Sequence, residues 1–193
     1  MRNILVLTSL IMALAILSPA TSTAQQLKNS SFETDFGSKE DENMWGDHGI
    51  AFGEAYVANA DTEGHPKRAH SGDRMLLINA PSGTWNGVWQ EVNWGSEVSY
   101  AWEAYYRIEH PSLPHECETF MKVEFYDFSG SPIGESEGSR HQEQTHNRWV
   151  LDSMRGITPK GTAQIRFVLL AGPNNEDQGV INRIYWDDAR ILE

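Results

Sequence analysis

Trp85, Trp89, Glu91, Glu103, Tyr105 and Arg107 fall within one stretch, TWNGVWQEVNWGSEVSYAWEAYYRI, spanning 84–108. Aromatic rings beside carboxylates and a guanidinium make a chemically sensible surface for a sugar. The C–H face of a pyranose stacks on a ring, and its hydroxyls need paired donors and acceptors. Three more residues fall in the outward phase of later strands: Glu124 and Tyr126 in Thr119–Phe128, and Arg166 in Gln164–Phe167. The alternative for the same residues is an ordinary solvated sheet face, since exposed aromatics are also common on inert surfaces.

Other chemistry is weighed against simpler readings. His65/His70, His110/His115 and His141/His146 share one spacing. Imidazole pairs suit zinc or copper, yet these lie in polar loops and match no helical zinc motif. A glycoside hydrolase needs two carboxylates facing across a cleft, for which Glu103 and Glu124 are the formal pair. A jelly-roll polysaccharide lyase would cast Tyr126, His141 and Arg166 around a uronate. No nucleophile elbow, P-loop or dinucleotide fingerprint is present. A non-catalytic protein is therefore expected. Cys117 is the single cysteine, so an intramolecular disulfide is impossible.

These side chains must be positioned by strands. A β-strand sends successive side chains to opposite faces. Val88 and Val92 then share one face, while Trp89 and Glu91 share the other. Trp102, Ala104, Tyr106 and Ile108 form an apolar set, opposite Glu103, Tyr105, Arg107 and Glu109. Residues 84–108 read as a hairpin closed by a short Gly-Ser turn. Further strands are expected at Leu27–Phe32, Ile50–Ala58, Met75–Asn79, Thr119–Phe128, Trp149–Met154, Ala163–Leu170 and Val180–Leu192. Thr34–Asp47 and Gly134–Asn147 read as loops. Regular strand spacing, Gly/Pro-rich turns and almost no helical periodicity predict an all-β sandwich or jelly roll in one domain, residues 25–193.

The first 24 residues read differently. A short basic start, an apolar run at Ile4–Leu17 and Ser22-Thr23-Ala24 have the pattern of a removable secretory signal peptide. This predicts a secreted or periplasmic protein without a membrane anchor. The net charge of −12 disfavours nucleic acid and anionic membranes as partners.

The order Asn29-Ser30-Ser31-Phe32-Glu33, His70-Ser71-Gly72, Trp85-Asn86-Gly87-Val88-Trp89-Gln90, Phe125-Tyr126-Asp127, Trp149, Thr158-Pro159-Lys160-Gly161-Thr162 and Ile184-Tyr185-Trp186-Asp187-Asp188 carries a resemblance. It is similar to carbohydrate-binding modules of the cellulose-, glucan- and xylan-binding kind, with their galactose-binding-like jelly roll. The resemblance implies a polysaccharide or oligosaccharide partner, bound at Trp85, Trp89, Tyr105, Glu124, Tyr126 and Arg166. It also implies one structural calcium, held by Glu33, the carbonyl of Ser31, the region of Asp73, and Asp187. Calcium favours several hard oxygen ligands of this kind. The alternative is that Glu33 caps backbone amides and Asp187 pairs with a base such as Arg74. A secreted adhesive protein that binds no sugar is the third reading.

Overall fold

The computed structural model describes residues 26–33, 45–49, 55–59, 69–80, 85–109, 118–172 and 182–192. The expected signal peptide, Cys117 and the histidines at 65, 110 and 115 lie outside these residues.

Among the described residues there are ten strands: β1 (Gly46–Gly49), β2 (Ala55–Asn59), β3 (Arg74–Ala80), β4 (Asn86–Asn93), β5 (Ser99–Glu109), β6 (Glu118–Tyr126), β7 (Pro132–Glu137), β8 (Val150–Ile157), β9 (Gln164–Gly172) and β10 (Asn182–Ile191). They form two five-stranded sheets, ordered β1-β4-β9-β6-β7 and β2-β3-β10-β5-β8. All pairings are antiparallel. The architecture is an all-β jelly-roll sandwich, as the strand pattern predicts.

The core lies between the sheets. Val88, Met121, Val123, Phe125, Ile165, Phe167 and Leu169 enter it from the first sheet. Trp102, Ala104, Tyr106, Ile108, Ile184 and Trp186 enter from the second. The ring of Trp102 packs on Phe167 across the gap, 4.9 Å between centroids. The strand phases read from the sequence are met in β4, β5, β6 and β9.

The strand partners are not those expected. β4 and β5 do not form a hairpin; each belongs to a different sheet. Residues 94–98 carry the chain across, and Thr158 stitches that crossing. Its Oγ1 donates to the Gly95 carbonyl at 2.6 Å and accepts from the Val98 N–H at 3.0 Å. Local alternation fixes which face a residue takes, but not which neighbour its strand finds.

Three element assignments also change. Residues 28–31, expected as a strand, form a turn. Asn29 and Phe32 there have positive φ, at 46° and 54°, which a ladder does not tolerate. The chain ends still meet, since the Ala189 N–H donates to the Ser30 carbonyl at 2.8 Å. The expected loop at Thr34–Asp47 gives way to β1 at its end, and the expected loop at Gly134–Asn147 begins inside β7. β7 is a polar edge strand without a buried apolar alternation, and its Pro132, Gly134 and glutamates blunt further pairing.

Candidate functional site

The outer face of the β1-β4-β9-β6-β7 sheet is built in rows across the ladder. Gly46, Trp89, Val168, Lys122 and Glu137 form one row. Glu91, Arg166, Glu124 and Glu135 form the next. Gly87, Leu170 and Phe120 flank the first row, and Asn93, Gln164 and Tyr126 flank the second. One end of the face is thus apolar and the other charged. Phe120, Val168 and Leu170 make a cluster of their own, with Trp85 and Trp89 packed against it.

Arg166 organises the charged end. Its guanidinium carbon lies 4.1 Å from the Trp89 ring centre and 4.3 Å from that of Tyr126. Its Nε donates to Glu91 Oε2 at 2.9 Å, and Nη1 donates to the Tyr126 hydroxyl at 3.0 Å. That hydroxyl in turn donates to Glu124 Oε2 at 2.7 Å. Burial and the neighbouring Glu124 raise the Tyr126 pKa, so the phenol stays protonated and donates. Lys122 continues the chain, with Nζ 2.9 Å from Glu124 Oε1 and 2.6 Å from Glu135 Oε2. Burial alone would lower the Lys122 pKa, but its hydrogen bonds to Glu135 and Glu124 outweigh it and raise the value.

Trp89 is placed by two neighbours. A Cβ built at Gly46 would come within 2.5 Å of its indole, so only glycine in β1 lets the ring settle there. The ring then carries the Arg166 guanidinium. The indole thus presents Arg166 rather than a bare face.

At the apolar end Trp85 meets Phe120 edge to face, at 5.2 Å and 80°. Arg140 lies over both rings, at 5.5 Å and 4.7 Å. It pairs with Glu118 at 2.7 Å and with Glu137 at 3.0 Å. Phe120, Lys122 and Arg140 were not among the expected site residues. The strand phase of β6 could have found the first two, because they alternate with Met121 and Val123.

Five of the six expected sugar contacts, Trp85, Trp89, Glu124, Tyr126 and Arg166, thus share one face. Tyr105 does not. It points outward from β5, but β5 lies in the opposite sheet, paired with β10 and β8. There the His70 ring stacks on it at 3.5 Å and 16°. The same topology separates Glu103 from Glu124, so the formal hydrolase pair does not face across a cleft. Glu103 instead accepts from Arg190 Nε at 2.6 Å. His141 does not join Tyr126 and Arg166. Its ring stacks on Tyr106 of β5 at 4.4 Å, with Nε2 3.0 Å from Asp152 Oδ2.

Of the expected metal ligands, Glu33 and Asp187 both bond the main chain of the segment 70–74, in which Asp73 lies. Glu33 accepts the N–H groups of Asp73 at 3.2 Å and Arg74 at 3.3 Å. Asp187 is 0 % exposed and accepts from His70 and Ser71, at 2.8 and 3.1 Å through Oδ2, and from Asp188 at 2.8 Å through Oδ1. It makes these main-chain contacts in place of the suggested pairing with Arg74. Burial pushes its pKa up to about 7, partly offset by the Ser71 N–H. Gly72, at φ 59°, passes so close that a Cβ would overlap Glu33. Asp73 is exposed and Ser31 half-buried. Among the described residues no three His, Cys, Asp or Glu side chains converge as a metal cluster. A cation here would rest on two carboxylates from opposite chain ends and on main-chain oxygens. Each carboxylate offers about four lone-pair positions, more than the N–H groups use.

No family model matches the sequence, and no curated protein matches it. Solved structures do. A family 61 module, TmCBM61, in complex with beta-1,4-galactotriose, is 18% identical over 86% of this chain and 97% of its own, with a TM-score of 0.59. The chain has the jelly-roll fold of carbohydrate-binding modules. A family 16 carbohydrate-binding module is 16% identical over 86% of this chain and 99% of its own, at a TM-score of 0.54. The CBM22-1 xylan-binding domain of Paenibacillus barcinonensis Xyn10C is 16% identical, covering 87% and 94%, also at 0.54. Carbohydrate-binding modules are thus what this chain is similar to in fold, along nearly the full length of each of these three.

Proposed function

We propose that this chain is a secreted, non-catalytic protein that binds a polysaccharide on the outer face of the β1-β4-β9-β6-β7 sheet. The observation that carries the reading is the convergence of Trp85, Trp89, Tyr126, Arg166 and Glu124 on one face. Aromatic planes and a hydrogen-bonded file of carboxylates and cations offer what a chain of sugar rings requires. The similarity of fold to modules described with galactotriose and with xylan supports it. Trp85, from which the nearest guanidinium stands 5.5 Å away, supplies stacking, while Arg166, Glu124 and the Tyr126 hydroxyl supply directional hydrogen bonds. Stacking of this type contributes about 1–3 kcal/mol per ring in the related case of bases on aromatics. A weak affinity that grows with glycan length follows.

A structural calcium belongs to the same proposal, held by Glu33, Asp187 and the Ser31 carbonyl near Asp73. It is supported by a fully buried Asp187 beside Asp188, where negative charge is costly without a cation.

The test is affinity electrophoresis against soluble glucan, xylan, mannan and galactan, with the same samples assayed for reducing ends and unsaturated uronates. Retardation by at least one glycan without product is the expected result. No retardation in any gel sinks the reading in favour of an adhesive role, and product formation replaces it with an enzyme.

A further inference from the structure

The ion pairs of the outer sheet face are unbalanced. Arg166 pairs with one carboxylate, that of Glu91. Lys122 is shared between Glu124 and Glu135, and Arg140 between Glu118 and Glu137. Among the described residues, these ion pairs of the face set three cations against five carboxylates, an excess of two negative charges beside the rings. The excess sits at the β6-β7 side, where Glu135 and Glu137 are the more exposed members, at 54 % and 40 %. The net charge of −12 adds a field of the same sign.

Each of these cations is already paired with carboxylate, so a ligand carboxylate or sulfate would compete with a protein partner and meet the excess negative charge. Carboxylate oxygens are acceptors only. They can take hydroxyl protons, and they take ammonium protons more strongly because that bond is charge-assisted. From this we infer that the face ranks glycans by charge: chains bearing free amino groups bind best, neutral chains next, and uronate or sulfated chains worst. The inference rests on the proposed glycan reading and adds a substrate class to it.

Three probes of similar length test the ranking in affinity gels at low salt: a glucosamine polymer, neutral galactan and polygalacturonate. The expected order is that in which they are given, with the differences shrinking as salt rises and screens the charges. Replacing Glu135 by Gln should weaken glucosamine-polymer binding about threefold, the scale of one exposed ion pair. Glu97→Gln removes the same charge from the exposed turn between β4 and β5 and should leave the ranking unchanged. Equal binding of the three probes, tightest binding of polygalacturonate, or equal effects of the two variants would overturn the ranking. In each of those cases galactan retardation still stands for the glycan reading. Absence of retardation with all three removes both.

Discussion

The guanidinium of Arg166 sits 4.1 Å from the centre of the Trp89 ring, and the ring itself rests against Gly46. A tryptophan that reads as a bare stacking platform is therefore a support for a cation. Arg166 meets Tyr126 in the same way, so one guanidinium couples two rings, the Glu91 carboxylate directly, and that of Glu124 through the Tyr126 hydroxyl.

Because Trp89 is a support, its loss should be felt first in stability. Trp89→Ala uncovers Phe120, Val168 and Leu170, and should cost about 3 kcal/mol, the low end for tryptophan truncation. Urea denaturation with an unchanged slope reads this directly. A fall in glycan affinity with no change in midpoint would contradict it.

Trp85 is the ring expected to carry affinity. Trp85→Ala should weaken binding by about 1–3 kcal/mol, or between five- and 150-fold. Titration calorimetry with the glycan retained best in gels is the check, and an unaltered constant would remove Trp85 from the site.

Tyr105 makes the opposite case. It lies on the other sheet, so Tyr105→Ala should leave glycan affinity unchanged. Its stack with His70 predicts a small loss of stability instead, about 0.5–1.5 kcal/mol beyond lost burial. Impaired binding in a folded Tyr105→Ala protein would place ligand on the wrong sheet.

The proposed calcium gives a thermal prediction. Adding calcium to chelated protein should raise the melting temperature in a concentration-dependent way. Glu33→Gln should abolish most of that rise. Identical melting curves with and without calcium, in protein shown free of metal beforehand, would remove the ion from the account.

Alkaline pH should expose Tyr106. Burial, with Asp152 and Glu143 nearby, pushes its pKa up to about 12 from the usual 10. The folded protein then holds a proton that the unfolded chain releases, so this contribution is whole below pH 10 and is lost as pH rises from 10 to 12. Tyr106→Phe should flatten that limb of the stability profile. The same slope in both proteins would assign it to other groups.

Strand phase was legible in the sequence. Trp89 and Glu91 were separable from Val88 and Val92, and Tyr105 from Trp102, because a two-residue period is set by local backbone geometry. Glu124, Tyr126 and Arg166 were found for the same reason. Lys122 and Phe120 obey the identical period, but neither suggests sugar chemistry by itself. Gly46 gave no signal, since its part depends on a neighbour more than forty residues away.

What the chain by itself determined is the set of residues that point away from a core, and the number and kind of elements that present them. Only the tertiary structure decided which outward faces coincide. Residues 94–98 cross from one sheet to the other rather than turning back, and that one step put Tyr105 and Glu103 on the far side from Trp89 and Glu124. Alternation repeats every two residues and carries no memory of partner strands. Partner choice follows from burying Trp102, Phe167 and Trp186 in one shared interior, a condition that involves the whole chain at once.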